Sequence, residues 1–261
     1  MIAVRGRLAH LTAPERALLL DRRPADEPDV RARVAELLAL VRARGDDALL
    51  EMARRYDKVE LSALEVPRAR CENALVELDA PIRAALERAA KNLAAFHRAQ
   101  LPTELTLEVE PGVRLGRRFG PLRAVGVYAP GGRAAYPSSV LMGVVPARVA
   151  GVEDVVVCSP PGPDGAPPAA VLAAAALAGA TRVFALGGAG AVGAMAYGTA
   201  SVPRCDAVVG PGNRWVLEAK RQVAQGRVAA QPHIGDRFRH AGRDSRVLRA
   251  RALQQPLLFL Q

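Results

Sequence analysis

Apolar and polar residues alternate with two different periods along the 261 residues, and the change of period divides the chain. From Pro28 to Gln100 apolar residues recur at three- and four-residue spacing, the signature of helices with one buried stripe. "VRARVAELLALVRARGDDALLEMARRY" predicts two helices, with Gly45 breaking the first and Asp46 and Asp47 restarting the second. "DAPIRAALERAAKNLAAFHRAQ" predicts another, opened by Asp79 as N-cap with Pro81 just inside and running to Gln100. From Leu105 the period shortens. "LTLEVEPGVRLGRRFGPL" alternates as a β-hairpin around Pro111-Gly112. Beyond it, "RAVGVY", "EDVVVCSPP", "RVFAL" and "DAVVG" read as strands separated by helical runs. Strands and helices alternating at this spacing predict an α/β fold, a Rossmann-like parallel sheet preceded by an N-terminal helical segment. The expected division is a helical region over 1–104, an α/β domain over 105–228 and a divergent tail over 229–261.

Ligands of such sheets bind beyond the carboxyl ends of the strands, where the glycine-rich turns of this sequence fall. "VVGPGNRWVLEAKRQV" reads as strand, tight turn and helix, with Asn213 closing Gly210-Pro211-Gly212. The Asn213 amide has two uses, ligand recognition or helix initiation. In "YAPGG", the ring of Tyr128 stands beside a turn that lets a ligand approach the backbone, with the ring placed to stack on a base or nicotinamide, although a plain strand-end turn is the commoner use of such a motif alone. Ser138 and Ser139 are placed to cap the next helix, the commoner role, or to bind phosphate. Gly188, Gly190 and Gly193 spell G-x-G-x-x-G between a strand and a helix. The acidic residue such a fingerprint uses for a ribose is missing, because the next acid, Asp206, opens the following strand instead of closing one. A small-residue contact between helix and sheet is the commoner use of so short a pattern.

Composition adds limits. No apolar run reaches the roughly 18 residues of a membrane span. Cys71, Cys158 and Cys205 show no metal-ligand spacing and predict reduced thiols in a cytoplasmic protein. The net charge of +10 raises nucleic acid as a partner, but only Lys58, Lys91 and Lys220 are lysines. Arginine in such excess is what GC-rich coding sequence produces. The segment 229–261 carries six Arg against two Asp, and elsewhere basic residues are interleaved with acids. A solvated surface is the expected reading, without nucleic-acid or membrane partners. His97 lies on its helix with no second ligand-type residue in register, so packing or surface exposure is expected. His233, His240, Asp236 and Asp244 cluster in the tail at no standard metal spacing.

Taken in order, "GVYAPGG", "YPSSVLMGVVPARVAG", "VVVCSPP", "FALGGAGAVGAMAYGTASVP", "DAVVGPGN" and "VLEAKRQV" resemble the histidinol dehydrogenase family, as do "RRYDKVEL" and "NLAAFHRAQ". The resemblance runs from about Pro28 to Val228. It implies two incomplete Rossmann-like domains, a homodimer with shared active sites, and oxidation of L-histidinol to L-histidine in histidine biosynthesis. Two NAD molecules act in sequence and a zinc ion holds the substrate. Carried onto this sequence, the NAD contacts are Tyr128, Asn213 and position 190, where the family's Gly-Gly-Ala-Gln-Ala glutamine is replaced by Gly190. That replacement removes one amide contact and also creates the G-x-G-x-x-G pattern.

After Val228 the sequence departs. The family's Pro-x-Gly-Pro-Ser-Glu segment, Gln-x-x-His zinc pair, Glu-His acid/base pair and later Asp and His ligands have no counterpart, so no catalytic or metal residue is assigned. Two readings stay open: a histidinol dehydrogenase by descent, inactive as given, or a non-catalytic nucleotide-binding remnant or frameshift product. On either, a sheet without its second domain is expected to leave apolar surface uncovered, and 229–261 to be disordered.

Overall fold

The structure is a computed structural model and describes residues 10–20, 27–131 and 134–229. The tail beyond Ala229, with His233, Asp236, His240 and Asp244, lies outside the described residues, as does Gly132.

The helical text forms α1 (Ala13–Leu20), α2 (Pro28–Arg44), α3 (Asp46–Met52), α4 (Arg68–Val76) and α5 (Ala80–Ala99). Gly45 separates α2 from α3 with φ 53°, as the predicted break requires. A π-helical turn, Ala53–Asp57, continues α3, and β1 (Glu65–Val66) follows. Next come the hairpin β2 (Leu105–Glu110) and β3 (Val113–Arg117). The α/β part comprises β4 (Ala124–Tyr128), α6 (Pro137–Val149), β5 (Asp154–Ser159), α7 (Ala169–Ala178) and β6 (Arg182–Ala185). It ends with α8 (Gly188–Tyr197), β7 (Ala207–Val209) and α9 (Arg214–Ala229).

Five strands form one sheet in the order β1-β6-β5-β4-β7. The pairs β6–β5, β5–β4 and β4–β7 are parallel, as the alternation predicts. β1 is antiparallel to β6 and comes from the helical region. Two residues are too short for a period to register, so the strand is silent in the sequence pattern.

Alternation along the central strands explains the layers. Val156 and Cys158 of β5 join a core with Val34, Leu38 and Val41 of α2, with α8 and with α9. Val155 and Val157 face the other way, into a core built with α4, α5, α6 and α7. The expectation of an uncovered sheet is therefore corrected: both faces are covered within the described residues. The reason is that the helical segment splits, with α2 and α3 on one face and α4 and α5 on the other. The change of period near residue 104 marks a change of sequence pattern, while α2 to α5 and β1 are parts of the same layered unit.

Register aligns the carboxyl ends of the strands. Tyr128 pairs with Cys158, Ser159 with Ala185, and Val127 with Val209. The turns leaving β4, β5, β6 and β7 consequently share one edge.

Candidate functional site

Tyr128 closes β4 and is 3% exposed. Its hydroxyl oxygen accepts the Gly188 N–H at 3.2 Å, tying the end of β4 to the first residue of α8. Burial is the main reason that its phenol is pushed above its usual pKa, so the hydroxyl keeps its proton at neutral pH. Having spent one acceptor position on Gly188, the group still has an O–H to donate. Gly188 adopts φ 61° with open space where a Cβ would stand, so the residue opening α8 is selected by its backbone.

Gly210 leaves β7 against the same tyrosine. Its φ is 109°, and a Cβ there would lie 2.0 Å from the Tyr128 carbonyl oxygen, which only glycine avoids. Lys220, one helix later, donates from Nζ to the Gly210 carbonyl. Burial draws the Lys220 pKa below its usual value. Asn213 caps α9, its Oδ1 accepting the N–H groups of Trp215 at 3.1 Å and Val216 at 3.2 Å. Helix initiation thus occupies the oxygen and leaves the Nδ2 donors for a second partner.

A fourth group comes from outside the α/β text. Asp57 ends the π-helical turn, and the next residue, Lys58, is left-handed at φ 62°, the one such non-glycine among the described residues. Its Oδ1 lies 3.3 Å from the position a Cβ on Gly187 would take. Pro160, just past β5, lies 3.2 Å from the same position. Burial pushes the Asp57 carboxyl up to about 6, and its charge in turn helps to raise the phenol of Tyr128. Sequence reading missed Asp57 as a site residue. "RRYDKVEL" carried it as part of a resemblance, but no local signal joins residue 57 to a turn some 130 positions later.

The remaining candidates divide. A Cβ on Gly190 would meet Met52 Sδ at 2.9 Å, and one on Gly193 would meet Leu38 Cδ2 at the same distance. These two glycines let α8 approach α3 and α2, so the small-residue contact is between helices and not with the sheet. Tyr136 stands at the N-cap position of α6, without a side-chain cap, and Ser138 and Ser139 lie inside the first turn. The expected serine cap is corrected accordingly. Asp206 holds the opposite edge, its Oδ2 accepting the N–H groups of Arg123 at 3.0 Å and Ala124 at 3.1 Å. His97 packs edge-on against Phe96 within α5. Among the described residues no three His, Cys, Asp or Glu gather to hold a metal ion.

A family model for histidinol dehydrogenase matches residues 20–235, most of the chain. The chain belongs to this family. It is 55% identical over 196 residues to the histidinol dehydrogenase of Methanosarcina mazei, an alignment covering 75% of this chain and 45% of that protein. To the histidinol dehydrogenase of Gluconobacter oxydans it is 48% identical over 209 residues, covering 79% and 48%. The crystal structure of histidinol dehydrogenase from Elizabethkingia anophelis superposes with a TM-score of 0.76 at 30% identity, covering 82% of this chain and 50% of that one. The chain thus spans about half the length of the relatives it matches. It matches them over that half, and in this chain the carboxyl edge of the sheet is built by Tyr128, Gly188, Gly210 and Asn213.

Proposed function

We propose that this chain is the NAD-side half of a histidinol dehydrogenase, holding NAD at the carboxyl edge between β4, β6 and β7. The observation that carries the reading is the convergence of the Tyr128 hydroxyl, the start of α8 and the Asn213 cap on one edge. Tyr128 offers an O–H, Asn213 an amide donor, and α8 the N–H groups of its first turn, which lack partners within the helix. NAD supplies a hydride acceptor when bound; these residues bind and orient it. Position 190 contributes no side chain, so affinity is expected to be weak.

The reaction this half would serve is oxidation of L-histidinol to L-histidine, in a cytoplasmic homodimer. Zinc does not fit the described residues, and no step is assigned to it. Neither Tyr128 nor Asn213 is a base that could take the substrate's hydroxyl proton as hydride leaves. Turnover by these 261 residues alone is not expected. Among the described residues no helix is long and apolar enough to cross a membrane.

The single tryptophan, Trp215, follows Asn213 by two residues and reports on the site. NAD should change its fluorescence saturably, and Asn213→Ala or Tyr128→Phe should weaken the response. With L-histidinol and zinc added, absorbance at the NADH wavelength should stay flat. A chain that shows no saturable NAD signal by fluorescence or calorimetry would not be an NAD-binding half. NADH production would show that the tail carries catalytic groups.

The remnant reading differs at the DNA. If a frameshift produced the tail, another frame from about Val228 should encode Pro-x-Gly-Pro-Ser-Glu.

A further inference from the structure

Two polar side chains flank the turn between β6 and α8, and their hydrogen-bonding capacities are unequal. The Tyr128 oxygen is committed to the Gly188 N–H, leaving an O–H to give. Asp57, ionised at neutral pH, can only accept. It makes no hydrogen bond or ion pair among the described residues. Gly187, next to Gly188, brings the backbone close to the carboxylate: a Cβ there would stand 3.3 Å from the Asp57 oxygen and 3.2 Å from Pro160. A ligand group that satisfies both sides must accept from the tyrosine and donate to the aspartate. A hydroxyl does this, and a ribose carries two side by side. A phosphate, which lacks the donor, would be repelled by the carboxylate.

We propose that Asp57 accepts a hydrogen bond from a ribose hydroxyl of the bound nucleotide, supplying from the N-terminal helical segment the acidic group that the glycine turn lacks in its own sequence. The assignment rests on the NAD reading above and adds to it a binding residue and the part of the ligand it recognises. The backbone accounts for how the group arrives. A π-helical turn widens the end of α3 by one residue, and the left-handed Lys58 then turns the chain away, leaving Asp57 at the edge. In dinucleotide-binding sheets the ribose carboxylate usually follows the glycine turn by about 20 residues. Here the same chemistry is delivered across the domain by a contact in space.

The test is NAD binding to the full chain, read by Trp215 fluorescence and calorimetry, for wild type, Asp57→Asn and Asp57→Ala. NAD and its analogues lacking one hydroxyl on either ribose serve as ligands. Asp57→Ala should weaken NAD about tenfold or more, the usual worth of a hydrogen bond to a charged group. One deoxy analogue should bind the wild type about tenfold more weakly than NAD, yet bind Asp57→Ala as NAD does. Unaltered NAD affinity in both variants would overturn the assignment and leave the NAD site standing. So would wild-type affinity that is indifferent to every ribose hydroxyl, a result that needs no variant to fold. Absence of NAD binding by the wild type would remove the NAD reading and this assignment together.

Discussion

At the scale of single residues, Asp57 carries an energetic signature separate from any ligand. Burial raises its carboxyl from 3.8 to about 6, so the folded chain holds a proton that the unfolded chain has already released. Between those values the native state binds more protons than the unfolded one. This contribution to stability therefore falls as pH rises from about 4 to about 6, and stays low above. Asparagine cannot ionise. Asp57→Asn should thus raise unfolding stability by about 2 kcal/mol at pH 8 and leave it unaltered near pH 3.5. Urea unfolding at the two pH values checks this; an equal effect at both would mean that the carboxyl is not destabilised by burial. A stabilising substitution at a binding residue is the trade expected where a site is held against folding preference. Gly190→Gln tests the neighbouring position with opposite consequences for stability and binding. A helical side chain leans toward the N-terminus of its helix, here the Gly187-Gly188 turn, but its Cβ must first displace Met52 Sδ, 2.9 Å away. Stability should fall by about 1–3 kcal/mol from overpacking, while NAD binds about fivefold tighter through the restored amide. Unfolding and NAD titration of the same preparation separate the two. Loss of stability with no gain in affinity would mean that the amide does not reach the nucleotide.

At the scale of elements, the strands and helices with a full period were legible from the residues themselves. Val155, Val156, Val157 and Cys158 announce a buried strand, and Gly45 announces the break between α2 and α3. What could not be read was short or distant. β1 has two residues, the π-helical turn has no periodic signature, and Asp57 meets the Gly187 turn only because α3 packs on α8. Tyr128 and Asn213 were legible as candidates because each ends an element, where a ligand role and a structural role coincide. Asn213 shows how the two roles combine. Its oxygen caps α9, so Asn213→Ala should cost about 1 kcal/mol of stability whether or not NAD is present. Asn213→Asp keeps an oxygen cap, with a charge that favours the helix N-terminus, and removes the amide donor. Aspartate should therefore preserve thermal stability while weakening NAD, whereas alanine lowers both. If Asn213→Asp bound NAD as the wild type does, the amide donor would have no part in recognition.

At the scale of the molecule, the sheet is covered on both faces, and the apolar surface left open lies elsewhere. Every residue of β2 and β3 is exposed, although the ribbon is rich in leucine and valine. Leu105, Leu107 and Val109 alternate along β2, and Leu115 stands directly across from Leu107. These four are between 41% and 55% exposed, and Phe119 beyond them is 40% exposed. A two-stranded ribbon alone in water is marginal, and an apolar face of this kind marks a surface that another polypeptide covers. On the homodimer proposed above, a second copy of the chain would be that polypeptide. Sedimentation of the wild type should then show reversible self-association with rising concentration. Leu107→Glu with Leu115→Glu places two like charges opposite each other on the ribbon and should abolish it, because the pair must be desolvated in any interface. Neither residue lies in either core, so circular dichroism and NAD affinity should stay at wild-type values. Self-association that survives the double substitution would move the dimer contact away from this ribbon. A wild type that remains monomeric at all concentrations would leave the hairpin to be covered by some other polypeptide, and the self-association reading would fail.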